Sequence, residues 1–312
     1  MAFYIGIDGG ATKTILVVTD ENLNIITRVS GGKTNPVLIG TEKSAQILFK
    51  MIQTAVTKSK ILSVDSVVAG LAGCGRKDTS EDVKKKLEAL LLSSNVKIKT
   101  VHVLSDAEIT LEGSFPNSQG AILIAGTGSI AFGKNDKGKI FRSGGFGKLL
   151  GDEGSGYSIG KEGLIAAANS FDGRGQKSLF EKYLKENFKI SDSDTLILKV
   201  HSKNFDIASL AEYVIKAADE GDKVCRKILE RESEKMLDIV YSLKKKISTR
   251  KLNLSLWGGL LSNKNYYSTL IKRKIKKSSD EIALSSPVYT PELGAVLIAL
   301  RYNKLNGMKI RK

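Results

Sequence analysis

The sequence predicts an α/β protein of two lobes, each built on a mixed β-sheet. Three observations carry this expectation. The chain has 312 residues, enough for two ordinary domains that each bury a core. A strand, a glycine-rich turn and a second strand open the chain, and the same opening recurs near its middle. After each opening, strands alternate with amphipathic helices, as in sheets covered by helices.

The first lobe starts with an alternating run, Phe3–Ile7, which turns through Asp8-Gly9-Gly10 into Thr14–Val18. Asp20–Asn24 supplies a turn and Ile25–Val29 a third strand, so three antiparallel strands come first. A helix is expected from Thr41, whose hydroxyl would cap it, with Ala45, Leu48, Phe49, Ile52 and Val56 as its apolar stripe. A strand at Val64–Leu71, a helix at Ser80–Leu92 and a strand at Thr100–Leu104 complete a βββαβαβ order.

Gly113, Pro116 and Asn117 mark the boundary, giving lobes over 1–115 and 116–290. In the second lobe, Gly120–Ala125 leads through Gly126–Ser129 to short strands at Ile130–Gly133 and Lys139–Arg142. Helices are expected over Gly156–Asn169, Ile207–Asp219 and Asp222–Ile247, then strands over Leu252–Trp257 and Ile282–Val288. Pro291 opens a last helix with Leu293, Val296, Leu297 and Leu300 on one face.

Composition narrows the function classes. At 41% hydrophobic and 26% charged residues the chain reads as soluble and globular. The longest apolar runs, Ala121–Ala125 and Ala295–Leu300, are too short to cross a bilayer. Met1 leads almost directly into a strand without a basic segment or cleavage site, so no secretory signal is read. Cys74 and Cys225 lie far apart without metal-ligand spacing, which argues against a disulfide framework or zinc site and for a cytoplasmic location. Lysine and arginine outnumber acidic residues 49 to 33, a net +16. Basic runs such as Lys84–Lys86, Lys244–Lys246 and Lys272–Lys277 could be a nucleic-acid footprint. They have few interleaved aromatics for base stacking, so they read as solvated surface, and neither a nucleic-acid nor a membrane partner is expected.

The glycine turns carry the chemistry. In Asp8-Gly9-Gly10-Ala11-Thr12-Lys13-Thr14, bare backbone amides can approach phosphate oxygens, Thr12 adds a hydroxyl and Lys13 a charge. Asp8, at a strand end, can hold Mg²⁺ through water. Gly126-Thr127-Gly128-Ser129 offers a second set of amides and hydroxyls. This second turn is not a standard nucleotide loop: Asn135 stands where a Walker A Ser or Thr belongs, and Ala131 where a Rossmann glycine belongs. Asp106, in Leu104-Ser105-Asp106-Ala107, is either a general base at a strand end or the cap of the next helix. The loop Ser143–Gly156 sets Asp152 where it can accept hydrogen bonds from adjacent sugar hydroxyls, with Glu153 read as a first-turn carboxylate of the following helix. Gly258 and Gly259, after Trp257, leave bare backbone on which an adenine can lie.

Together DGGATKT, KTNPVLIG (Lys33–Gly40), LSDA, IAGTGS, GGFGKLLGDEGS, WGG and PELGA resemble the BadF/BadG/BcrA/BcrD ATPase family of the actin/hexokinase/Hsp70-like superfamily. The likeness is to its N-acetylglucosamine kinases and archaeal hexokinases. It implies two ribonuclease-H-like, actin-like ATPase lobes with an interdomain cleft, the final helix, 291–312, packing back on the first lobe. It implies an ATP- and Mg²⁺-dependent sugar kinase. Asp8 would position the metal, and Gly9, Gly10, Thr12, Lys13, Gly126, Thr127, Gly128 and Ser129 the phosphates. Gly258 and Gly259 would line the adenosine site. Asn35, Asp106, Gly145, Phe146 and Asp152 would bind the sugar, with Asp106 as base.

Glucose and N-acetylglucosamine are the expected substrate type. The family's N-acetylglucosamine kinases carry Trp where this chain has Phe146, and Lys148 beside Arg142 opens an acidic sugar such as 2-keto-3-deoxygluconate. A non-catalytic ATP-gated sensor is the rival from another class. The dehydratase-activator branch needs bridging cysteines that Cys74 and Cys225 do not supply. The sequence does not set the oligomeric state, and a homodimer is one assembly open to it.

Overall fold

The structure, a computed structural model, describes residues 2–94 and 96–310, with residues 304–310 by backbone alone. The chain divides into two compact units, Met1–Ser118 with Ser286–Lys312, and Gln119–Ser285.

The first unit runs β1 (Phe3–Gly9), β2 (Thr14–Asp20), β3 (Ile25–Gly31), α1 (Pro36–Ile39), α2 (Thr41–Ser59), β4 (Ser63–Leu71), α3 (Lys77–Leu92), β5 (Lys97–Ser105) and α4 (Asp106–Ser114). Its five strands lie in the order β3-β2-β1-β4-β5. The first three are antiparallel, while β4 and β5 run parallel to β1. The period of two in each strand sends alternate residues to opposite faces. Ile5, Ile7, Leu16 and Val18 pack under Leu48, Ile52, Val83 and Leu87 of α2 and α3. Tyr4, Val17 and Val68 face Ile109, Val296 and Ala299, from α4 and the last helix. Each fully buried Leu, Ile or Val contributes about 1.5–3 kcal/mol.

The second unit runs β6 (Gly120–Ala125), β7 (Ser129–Lys134), β8 (Ile140–Gly144), α5 (Gly156–Phe171), α6 (Leu179–Tyr183), a π-turn (Leu184–Phe188), α7 (Ser193–Val200), a 3₁₀ turn (Ile207–Ser209), α8 (Leu210–Asp219), α9 (Lys223–Ile247), β9 (Leu252–Trp257), α10 (Gly259–Ser262), α11 (Tyr266–Lys277) and β10 (Ile282–Leu284). Its sheet order is β10-β9-β6-β7-β8. Read from the other edge, this repeats the first sheet, down to the antiparallel pairs and the two parallel additions. The fold is therefore a doubled mixed α/β sheet.

The chain returns to the first unit as α12 (Pro291–Ile310). Gly294 lets it approach α4: a Cβ there would lie 2.6 Å from the Gly113 amide nitrogen. Gly6 likewise clears the Glu292 carbonyl and Val296, so α12 lies close on β1.

Some elements differ from the sequence expectation. Gly40, at φ 83°, occupies the cap position of α2, while the Thr41 hydroxyl donates to Asp82 at 2.6 Å. The α3 helix begins at Lys77, ahead of Ser80. The last strand stops at Leu284, short of Pro287, which has no N–H for a ladder. The α6 and α7 helices, each opened by a capping box at Ser178 and Asp192, were not anticipated. Among the described residues no helix is long and apolar enough to cross a membrane.

Candidate functional site

In the first unit the sheet register gathers the chemistry at one edge. Asp8 pairs with Gly70, and Gly70 with Leu104. Asp8 and the Ser105-Asp106 step therefore emerge together at the carboxyl ends of three parallel strands, where open α/β sheets bind ligands. Burial, then the charges of Glu292 and Asp106, push the Asp8 carboxyl up to about 6 against the pull of Lys13. Burial also raises Asp106, although the Ala107 amide donates to its carboxylate at 3.0 Å. Cys74 lies close enough to feel Asp106, and burial followed by that charge pushes its thiol up to about 12. Such a thiol is a packing group rather than a nucleophile.

Asp106 is not the cap of α4. Ser105 caps α4, its hydroxyl accepting from the Glu108 amide at 3.3 Å while Glu108 Oε2 accepts from the Ser105 amide at 2.9 Å. With that capping box complete, Asp106 occupies the first helical position and is not the cap.

The first turn closes through Gly10 N–H to Lys13 carbonyl at 2.9 Å, and Gly10 carbonyl accepts from Thr34. Gly9 packs against Thr34 and Leu71 with no room for a Cβ. Ala11, Thr12 and Lys13 are exposed. Among the described residues the amides of Ala11 and Thr12 form no backbone hydrogen bond, so they remain available to an anion. Asn35 caps α1, its Oδ1 accepting from the Val37 amide at 2.9 Å, which leaves its side-chain NH₂ as a donor. Gly73, missed in the sequence, leaves room for the Asn35 side chain. It has φ 90°, and a Cβ there would collide with Asn35 Oδ1 and lie 3.0 Å from Val37 Cγ2.

In the second unit, Ile124 pairs with Trp257, so Gly126 and Gly258 both follow a strand end at one edge. Gly258 has φ 87° and abuts the Ala125 backbone, a conformation and a fit that exclude a side chain. Gly126 and Gly259 face open space. The amides of Thr127 and Gly128 form no backbone hydrogen bond among the described residues. The Gly126 and Thr127 carbonyls accept from Gly156 and Tyr157 at 2.7 and 3.1 Å, anchoring the turn to α5. Ser129 departs from its expected role: it is 3% exposed, and its hydroxyl donates to the Glu153 carbonyl at 2.7 Å. That proton ties the turn to the 152–155 segment.

Asp152 lies against this turn, since a Cβ on Gly128 would be 2.9 Å from its Oδ2. Its backbone is left-handed, φ 62°. The preceding loop doubles back through Gly151 N–H to Gly147 carbonyl at 2.8 Å, which sets Gly151 beside Phe146. Gly145, at φ 70°, packs on Ile130, and Phe146 is exposed under the Arg142 guanidinium, 5.4 Å from its ring centre. Lys148 stands 5.6 Å over the Tyr157 ring. Glu153 is not in the first turn of α5, which begins at Gly156 behind its Ser155 cap. Its Oε2 is buried and has no hydrogen-bond partner among the described residues. Glu232, on α9, was also missed, because one acid in a charged helix gives no sign of its burial.

Both ligands expected of this site fit the residues present. The Asp8 carboxyl, raised first by burial and then by the charges of Glu292 and Asp106, lies in a negative potential that a cation relieves. Among the described residues no cluster of three or more His, Cys, Asp or Glu could hold a metal, and Mg²⁺ in nucleotide sites commonly takes one or two carboxylates plus phosphates and water. The free amides of Ala11 and Thr12 in the first unit suit phosphate oxygens, and in the second unit the free amides of Thr127 and Gly128, with open space at Gly126 and Gly259, suit parts of a nucleotide.

The sequence profile of the BadF/BadG/BcrA/BcrD ATPase family matches residues 5–299. An N-acetylmuramic acid/N-acetylglucosamine kinase of Clostridium acetobutylicum is 31% identical over 306 residues, covering 96% of this chain and 98% of that protein. An N-acetyl-D-glucosamine kinase of Dictyostelium discoideum is 29% identical over the same shares. Among solved structures, a candidate N-acetylglucosamine kinase from Chromobacterium violaceum superposes with a TM-score of 0.72 over 96% of this chain and 99% of that one. At 21% identity that likeness speaks for the two-lobed α/β fold. This chain belongs to the BadF/BadG/BcrA/BcrD ATPase family.

Proposed function

We propose that this protein is an ATP-dependent carbohydrate kinase acting on an N-acetylated hexosamine. The carrying observation is Asp106: a half-buried carboxylate at a strand end, released from capping by Ser105 and Glu108, in a chain 31% identical to a kinase of amino sugars.

In this reading Asp106 accepts the proton of the attacking sugar hydroxyl. As it does so, the hydroxyl oxygen bonds to the γ-phosphorus and the bond to the ADP leaving group breaks. Asn35 donates its side-chain NH₂ to the sugar, and Asp152 accepts from sugar hydroxyls. The exposed Phe146 and the bare backbone of Gly145 complete the sugar contacts. Thr12, Lys13 and the free amides of the first turn hold phosphate oxygens, as do Thr127 and the Gly128 amide in the second. Gly9, Gly10 and Gly126 keep those turns free of side chains, and Gly258 and Gly259 line the adenosine. Asp8 would hold Mg²⁺, which when bound neutralises charge on the phosphates.

An acidic sugar is the second reading, favoured by Arg142 of β8 and Lys148 on the Phe146 loop. N-acetylmuramic acid, whose lactyl group carries a carboxylate, replaces 2-keto-3-deoxygluconate as its best example, because the Clostridium relative is named for it. ADP release measured with N-acetylglucosamine, N-acetylmuramic acid, glucose and 2-keto-3-deoxygluconate tests both. The N-acetylated sugars should give the highest kcat/KM. Release at background with every sugar would refute the kinase reading and favour an ATP-gated sensor.

A further inference from the structure

Glu232 sits mid-way along α9 and is 1% exposed. An ionised carboxylate in such a place is costly unless its lone pairs are satisfied. Here they are: Oε2 accepts from the Gly154 amide at 2.8 Å and the Ser158 hydroxyl at 2.6 Å, and Oε1 from Lys235 at 2.7 Å. Burial pushes its carboxyl up, but the bonds from Lys235, Ser158 and Gly154 outweigh it and hold it below the usual range. The group is therefore charged at neutral pH.

Two of these three bonds go to one short segment, at its start and just after it enters α5. Gly154 has φ 71°, and a Cβ there would lie 2.6 Å from both Met236 Cε and the Tyr267 hydroxyl. It is seated on α9 and α11. Two residues earlier, Asp152 holds a left-handed backbone, φ 62°, which for a non-glycine costs on the order of 1 kcal/mol or more and persists only where its surroundings fix it. Ser129 holds the residue between them through the Glu153 carbonyl. The Asp152 carboxylate is thereby kept against Gly128.

We propose that Glu232 is a positioning residue for substrate: its buried charge anchors Gly154 and Ser158 and so fixes Asp152 in the strained geometry that binds the sugar. The proposal rests on the reading of Asp152 as a sugar ligand. Glu232 acts through the loop, so removing its charge should weaken the sugar and spare the nucleotide.

Glu232→Gln keeps the size but turns one acceptor into a donor that faces existing donors. The sugar KM should rise about tenfold or more while the ATP KM stays within about twofold. Ser158→Ala removes one loop bond and should raise the sugar KM about two- to fivefold. Lys235→Met removes only the outward ion pair, leaves both loop bonds, and should change the sugar KM less than Ser158→Ala. Asp152→Asn is run in parallel. Unaltered sugar KM in Asp152→Asn overturns the reading of Asp152 and this proposal with it. A raised KM in Asp152→Asn, with Ser158→Ala and Glu232→Gln leaving the sugar KM unchanged or raising both KM values equally, overturns the proposal alone. If Glu232→Gln does not fold, the order Ser158→Ala above Lys235→Met carries the test, and the reverse order refutes it.

Discussion

Replacing Asp106 by Asn removes a charge and a proton acceptor while keeping the side chain's size. The structure separates its catalytic effect from a folding effect, because the cap of α4 belongs to Ser105 and Glu108. The bond from the Ala107 amide can be accepted equally by an amide oxygen. Burial raises the Asp106 carboxyl, so its charged form weakens the fold at neutral pH, and the neutral Asn should leave the melting temperature unchanged or slightly higher. Turnover should fall by about two to four decades, the usual worth of a positioned general base, or roughly 2.7–5.4 kcal/mol at 1.36 kcal/mol per decade. The assay is coupled ADP release at saturating ATP and sugar, with a thermal melt on the same preparation. Ser105→Ala is the matching control: it removes the cap, about 1 kcal/mol of stability, and should lower the melting temperature while retaining far more turnover. Turnover of Asp106→Asn within about threefold of the parent would refute the assignment. So would a turnover loss matched by a fall in melting temperature of several degrees, which would return Asp106 to a structural role.

The same carboxylate predicts a pH profile. A base must be ionised, and burial raises Asp106 above the ordinary 3.8. Turnover should therefore be lost as pH falls through a value above 3.8, and an acid limb at or below 3.8 would refute this. Gly73→Ala places a methyl against Asn35 Oδ1 at a residue with φ 90°. Strain on the order of 1–3 kcal/mol should displace Asn35 and raise the sugar KM about tenfold with little change for ATP, and equal rises in both would remove Asn35 from the sugar site. Lys148→Ala tests the acidic-sugar reading. If Lys148 pairs with a substrate carboxylate, kcat/KM should fall by about 2–4 kcal/mol for N-acetylmuramic acid alone. An equal fall for N-acetylglucosamine would show instead that Lys148 supports the loop through Tyr157.

Much of the fold was legible in the chain itself because its signals are local. The alternating run of β1, the apolar runs of β2 and β4, and the apolar stripes of α2 and α9 follow from which side chains must leave water. The glycines of both turns were readable because an absent Cβ is a property of composition. In the structure a Cβ on Gly9 would collide with Thr34 and Leu71, and one on Gly128 would meet the Asp152 carboxylate. Tertiary structure decided whatever depends on partners distant in sequence or on competition between neighbours. Ser105 and Asp106 are both good helix caps, and only the end of β5 determined which took the position. Thr41 had the chemistry of a cap, yet Gly40 took the site and Asp82, 41 residues away, took the hydroxyl. Ser129 reads as a phosphate donor until the loop 24 residues on folds over it. Glu232 looks like any acid of a surface helix until α9 packs on α5 and brings it to Gly154, 78 residues earlier. Periodicity reports which face of an element is apolar, and it carries no information about which polar groups the packing of those faces will bury together.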